Sequence, residues 1–171
     1  MCDLLLSEKG HVPLIQFAAS EPDLEHAIRL PWVGIGSDGT AMHPDRFPWL
    51  GKPHPRHYGT YPRVLGTYVR EKKFISFPEA IRKMTSLPAQ TVGFLDRGLL
   101  RPRMKADIVV LDPDRVADRA TYENPQQFPV GIEYVLVNGT LVAEHGRHTG
   151  ARPGLILRGK GYNTGAAARG F

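Results

Sequence analysis

Asp38 is the residue best placed to do chemistry. It stands in Ser37-Asp38-Gly39, straight after the apolar run of residues 32–36. Ligands in parallel α/β folds bind beyond the carboxyl ends of strands. An aspartate there can ligate a metal or take a proton from metal-bound water. The same tripeptide also makes an ordinary turn in which the Asp side chain bonds to backbone, and both readings stand. Arg56 lies in His54-Pro55-Arg56-His57. A guanidinium pairs bidentately with carboxylates, so Arg56 is either a clamp for an acidic ligand or a solvated loop arginine. His54 and His57 make a weak metal pair, because Pro55 in a loop gives them no helical face. His145 and His148 flank Gly146 and read as surface turn residues. His11 and His26 read as surface or helix-flank residues. Cys2 is too near the first residue to be argued as a nucleophile. A hydrolytic zinc site needs about three protein ligands, and no spacing here supplies three. The Gly-rich stretches near the C-terminus lack the Lys-Ser/Thr of a phosphate loop and the strand that precedes it.

The elements that would position Asp38 can be read from the pattern around it. Residues 13–18 read as a short buried strand. Ser20 is a candidate N-cap, Pro22 sits in the first turn, and residues 23–30 form a helix with Glu21 and Asp23 near its positive end. Pro31 stops it. Residues 32–36 make a second strand that runs into Asp38. Strand, helix, strand at this spacing is a βαβ unit, hence a parallel sheet and an α/β fold. Near-continuous apolar strands agree with burial on both faces. Residues 40–62 read as one long loop, which compact domains rarely keep without a functional reason. It carries Met42, His43, Phe47, Trp49, His54, Arg56, His57 and Tyr58, and Pro44, Pro48, Pro53 and Pro55 stiffen it.

Further on, Val64, Leu65, Tyr68 and Val69 recur at helical spacing, so residues 61–72 read as a helix. Ser76-Phe77-Pro78-Glu79 has the form of a capping box opening a second helix. A short helix follows from Ser86 to about Val92 and is closed by Gly93. The chain then turns to β structure, with strands at 106–113, 130–137 and 141–143. Asn138-Gly139 is a strong hairpin signal, because both residues accept the positive φ of a tight turn. Beyond Gly150 the pattern is lost. Residues 151–171 read as a loose, basic, Gly-rich tail, with a phosphate- or nucleic-acid-binding tail as the alternative.

Composition bounds the function classes. The chain has 171 residues, 42% hydrophobic and 23% charged, which fits a globular protein with a real core. Lys and Arg number 22 against 17 Asp and Glu, a net charge of +5. That balance is mild and does not itself indicate nucleic acid. One cysteine excludes an internal disulfide framework and a Cys-rich zinc module. No leader-like segment opens the sequence and no run approaches about 18 apolar residues. The reading is therefore no membrane partner and a reducing, cytoplasmic setting.

Beyond these residue-level readings, the chain resembles the C-terminal portion of the N-acyl-D-amino-acid deacylases (D-aminoacylases) of the amidohydrolase superfamily. The matching text is Pro31-Trp-Val-Gly-Ile-Gly-Ser-Asp-Gly39, the run from His54 to Gly66, Arg82-Lys-Met-Thr-Ser-Leu-Pro-Ala89 and Asp96-Arg-Gly-Leu-Leu100. It continues through residues 106–113, Val116-Ala-Asp-Arg-Ala-Thr-Tyr122, residues 130–139 and residues 146–154. The resemblance covers roughly residues 1–153. The 54–66 and 118–122 stretches point to the deacylase branch.

The resemblance implies the C-terminal part of a metal-dependent hydrolase TIM-like (βα)8 barrel, followed by strands of a small β-sandwich domain. On that reading, residues 1–95 belong to the barrel, 96–150 to the β domain and 151–171 to the tail. It implies a zinc-dependent parent that splits an N-acyl-D-amino acid into a carboxylate and a free D-amino acid. Asp38 matches the family's aspartate beside the zinc, which serves as general base and then as proton donor to the leaving amine. Arg56 or Arg63 would assist the substrate, with support of the loop as the alternative role for each. The family's zinc ligands lie mostly upstream, in a His-x-His pair, a bridging Cys or carboxylate and two later histidines, and none has a counterpart here. The expectation is a piece lacking its N-terminal barrel segment, which alone binds no zinc tightly and hydrolyses nothing measurable. The alternatives are the second chain of a split amidohydrolase, or a non-catalytic structural or interaction protein.

Overall fold

A computed structural model describes residues 2–10, 19–46, 51–159 and 162. The expected strand at 13–18, His11, Phe47 and Trp49, and most of the tail after residue 159 lie outside the described residues. Five α-helices precede a small sheet. The first, α1 (Cys2–Ser7), is fully exposed and was not expected from the sequence. The second, α2 (Glu21–Arg29), forms as its caps require. Ser20 is extended, and its Oγ accepts the Asp23 N–H at 3.3 Å. Ile28 is the residue of α2 that reaches the core.

The segment after α2 departs from expectation. Residues 33–38 run without regular structure and pair with no strand among the described residues. A ladder needs a neighbour on at least one side, and here the end of a later helix takes that place. The Ile35 N–H donates to the Lys83 carbonyl at 3.0 Å. The strand expected to pair with this segment, residues 13–18, lies outside the described residues.

The expected loop at 40–62 is also shorter than read. A 3-10 turn, Pro44–Arg46, interrupts it, and helix α3 (Arg56–Arg63) replaces its last part. Pro55 takes the N-cap position, where its missing N–H costs nothing. Pro62 lies inside α3 and breaks the usual ladder. The following turns, Val64–Glu71, wind as a π-helix continuous with α3. Helix α4 (Phe77–Met84) opens as the sequence predicts, with the Ser76 Oγ accepting the Glu79 N–H at 3.4 Å. The Glu79 carboxylate does not close the box, because it binds Arg82 at 2.8 Å instead. Helix α5 (Ser86–Val92) ends on Gly93 in the left-handed region.

The sheet is wholly antiparallel, in the order β1 (Ile108–Leu111), β2 (Ile132–Val137), β3 (Thr140–Glu144), β4 (Arg147–His148). Asn138 and Gly139, at φ 48° and 79°, turn β2 into β3 as predicted. His145 and Gly146 make a second tight turn at φ 46° and 76° and add β4, which the sequence reading lacked. The His145 Nδ1 lies 2.8 Å from Glu133, so this turn histidine is tied to β2.

Residues 112–131, which join β1 to β2, lie along the π-helix. Gly66 permits that approach: a Cβ there would stand 3.0 Å from the Val116 carbonyl. Arg70 donates to that carbonyl at 2.6 Å and to the Pro113 carbonyl at 3.1 Å. Val116 is fully buried and joins Ile28, Val64, Leu65, Tyr68 and Ala80 in one apolar cluster. The cluster thus takes residues from α2, the π-helix, α4 and the β1–β2 connection. No helix among the described residues is long and apolar enough to cross a membrane.

Candidate functional site

Asp38 caps the extended segment in a left-handed conformation, φ 47°. Aspartate tolerates this region better than most residues. Of the two sequence readings, the self-bonded turn is not what forms. Ser37 makes the turn, its Oγ accepting the Gly39 N–H at 3.2 Å. The Asp38 carboxylate instead meets Arg56, with Oδ2 and Nη2 2.9 Å apart. Arg56 also donates from Nε to the Asp38 carbonyl at 2.9 Å. One side chain therefore fixes both the backbone and the carboxylate of Asp38. The carboxylate remains 84% exposed, and Oδ1 has no partner among the described residues.

The start of α3 is drawn against this turn. A Cβ at Gly39 would come within 3.2 Å of the Arg56 carbonyl and the His57 Cα, so glycine allows the contact. The Thr40 N–H donates to His57 Nδ1 at 2.7 Å. The Arg56 N–H donates to His54 Nδ1 at 3.0 Å. With Nδ1 accepting, neutral His54 carries its proton on Nε2, which donates to the Tyr122 hydroxyl at 3.1 Å. Burial, then the charge of Arg56, holds His54 below the usual imidazole range.

A groove of about 640 Å³ opens beside the turn. Leu24 and Ile28 of α2, Ile35 of the extended segment, Arg56 and Arg63 of α3, and Tyr122 help form its walls. Asp38 stands outside this lining, and Arg56 connects the two. The two candidate arginines differ in their partners. Arg63 Nη1 is 3.4 Å from Asp118 Oδ2, whose side chain is only 14% exposed. The neighbouring Tyr68 hydroxyl donates to Glu21 at 3.0 Å, and Lys72 reaches Glu21 at 2.7 Å and Glu25 at 3.0 Å. Lys72, ahead of the opposing burial cost, holds the Glu21 carboxyl below the usual carboxylate range. This chain of contacts joins the β1–β2 connection, α3, the π-helix and α2 under the groove.

The donor set does not make a zinc site by itself. Among the described residues no group of three or more His, Cys, Asp or Glu side chains converges. Asp38 offers one carboxylate, and one of its oxygens already serves Arg56. The Nδ1 atoms of His54 and His57 are both taken by backbone amides.

Sequence reasoning missed Arg82 and Lys83. Lys83 is fully buried, and its ammonium donates to the carbonyls of Leu30 and, at 2.8 Å, Val33. Arg82 donates to the Pro31 carbonyl. Burial pushes the Lys83 ammonium below the usual lysine range, and Glu79, 3.9 Å away, opposes that shift. No local pattern announces this, because the partners lie on a distant stretch of chain.

The chain has relatives of known activity in sequence and in structure. Residues 28–143 match the amidohydrolase family, and the chain belongs to it. It is 40% identical over 159 residues to an N-acyl-D-glutamate deacylase of Alcaligenes xylosoxydans xylosoxydans, covering 92% of this chain and 31% of that protein. It is 41% identical over 143 residues to a D-aminoacylase of the same organism, covering 84% of this chain and 28% of that one. Among solved structures it is similar to the N-acyl-D-glutamate deacylase of Bordetella bronchiseptica, complexed with zinc and a phosphonate mimic of the tetrahedral intermediate. The TM-score is 0.67 at 43% identity, over 77% of this chain and 27% of that one. The chain thus spans less than a third of the length of these relatives.

Proposed function

We propose that this chain is the Asp38-bearing part of a zinc-dependent N-acyl-D-amino-acid deacylase acting in the cytoplasm. On this reading residues 1–95 close a (βα)8 barrel, 96–150 contribute strands to a small β-sandwich domain, and 151–171 form a tail. The zinc ligands come from outside the described residues, since no three of their His, Cys, Asp or Glu side chains converge. The observation that carries the reading is the double contact of Arg56 with Asp38, at the edge of a groove, in a chain about 40% identical to deacylases.

The chemistry assigned to this chain is proton transfer and anchoring. The Asp38 carboxylate takes a proton from the attacking water as its oxygen bonds to the acyl carbon. It returns that proton to the amide nitrogen as the C–N bond breaks, and a carboxylic acid and a free amine leave. Arg56 keeps Asp38 in place through Nε and Nη2, while Nη1 remains for the α-carboxylate of a substrate in the groove. Arg63, paired with Asp118, supports α3 and is the weaker candidate for substrate contact.

The substrate class is tested on the intact protein with matched N-acetyl D- and L-amino acids. The expected result is release of free amino acid from the D series, strongly preferred over the L series. Equal turnover of both, or turnover of neither, overturns the assignment.

A further inference from the structure

Asp38 is held from two sides. Downstream, Arg56 and His57 fix residues 38–40 through side-chain bonds to backbone. Upstream, the segment that leads to it has no ladder among the described residues, yet its carbonyls are not left bare. The Leu30 and Val33 carbonyls accept from the Lys83 ammonium, and the Pro31 carbonyl accepts from Arg82. In return the Lys83 carbonyl accepts the Ile35 N–H at 3.0 Å. Two adjacent residues at the end of α4 therefore satisfy four backbone groups between Leu30 and Ile35.

The choice of a lysine here is informative. Lys83 is fully buried, and its nearest carboxylate oxygen is 3.9 Å away. An ammonium so placed loses its hydration and gains no close ion pair. An apolar side chain of similar length would fill the space without that cost. What it could not do is hold two carbonyls at once with a single donor group. One of those carbonyls, that of Leu30, is the C-cap of α2, where a cation also suits the negative end of the helix.

We propose that Arg82 and Lys83 are positioning residues for Asp38, a clamp at the end of α4 that sets the path of the segment delivering it. The proposal rests on the deacylase reading above. Neither residue touches the reacting atoms, and both act through the backbone of residues 30–35.

The test compares Lys83→Met and Arg82→Met with wild type in the intact, zinc-loaded protein. Arg82 is partly exposed, so its change is compatible with folding. Both variants should keep their zinc and a KM within about twofold of wild type, while kcat falls roughly ten- to a hundredfold, as for a small misplacement of a reacting group. Amide hydrogen exchange over residues 33–38 should rise in both. A lowered thermal midpoint with kcat and exchange unchanged would reduce the pair to a structural role and overturn the proposal. Should Lys83→Met fail to fold, an unchanged kcat and exchange in Arg82→Met overturns it alone. A wild type without turnover sinks the deacylase reading instead, and exchange over 33–38 then still decides whether the clamp fixes that segment.

Discussion

Arg56 meets Asp38 twice, and this pairing separates it from Arg63. The sequence offers both arginines for substrate contact, with loop support as the alternative for each. The structure gives Arg63 to Asp118 and leaves Arg56 between Asp38 and the groove. Under the deacylase reading, Arg56→Met should raise KM for an N-acyl-D-amino acid about tenfold or more, the scale of a lost charge-assisted bond. A substrate with its α-carboxylate amidated should bind wild type and variant alike. Equal losses on both substrates would mean that Arg56 serves Asp38 alone. Asp38 stood out by its place at the end of an apolar run, although Ser-Asp-Gly reads equally as an ordinary turn and only the family resemblance favoured a chemical role. Its partner did not, because Arg56 reaches it across a loop that carries no periodicity.

Helix caps were read well. Ser20, Ser76 and Gly93 all act as the sequence predicts, since capping depends on residues within one turn. The measurable consequence is that Ser76→Ala should destabilise the protein by about 1 kcal/mol in chemical denaturation. No loss would mean that the 3.4 Å bond contributes little. The extended segment at 33–38 shows the opposite case. Apolar runs signal burial but do not encode their neighbours; the strand expected beside this one lies outside the described residues, and among the described ones α4 supplies the contact. The long loop was over-read for a related reason. Its prolines argue against helix, yet α3 takes Pro55 at its N-cap and carries Pro62 inside, where the π-helix follows. The contact of Glu21 with Lys72 links α2 to the π-helix and carries a pH signature. The folded-state pKa of Glu21 is lowered, so its contribution is present above the unfolded value of about 4.3 and is lost as pH falls through the folded value. The Lys72 pKa is raised, so its contribution persists below the unfolded value of about 10.4 and is lost as pH rises through the folded one. Glu21→Gln should therefore lower the denaturation midpoint at pH 7, and the difference from wild type should vanish in acid. A difference that persists unchanged to pH 2 would contradict this.

At the scale of the molecule, the apolar cluster joins the helices to the β1–β2 connection, with Leu111 and Ile132 at the strand ends packed against it. That docking depends on Gly66 and on two carbonyls held by Arg70, features that composition does not reveal. The strand at Ile108–Leu111 and the Asn138-Gly139 turn were legible, because strand and hairpin signals are local. The groove is formed by residues from α2, α3 and the connection, and only their joint placement makes it visible. Membership of the amidohydrolase family, matched over residues 28–143, is the level at which sequence and fold agree. The role of Asp38 is tested most directly by kcat of Asp38→Asn in the intact protein, on an N-acyl-D-amino acid, with bound zinc measured on the same sample. The account predicts zinc retained and kcat lowered about 10²- to 10⁴-fold, the range for loss of a general acid–base group. Turnover within about twofold of wild type, at equal zinc, would contradict it.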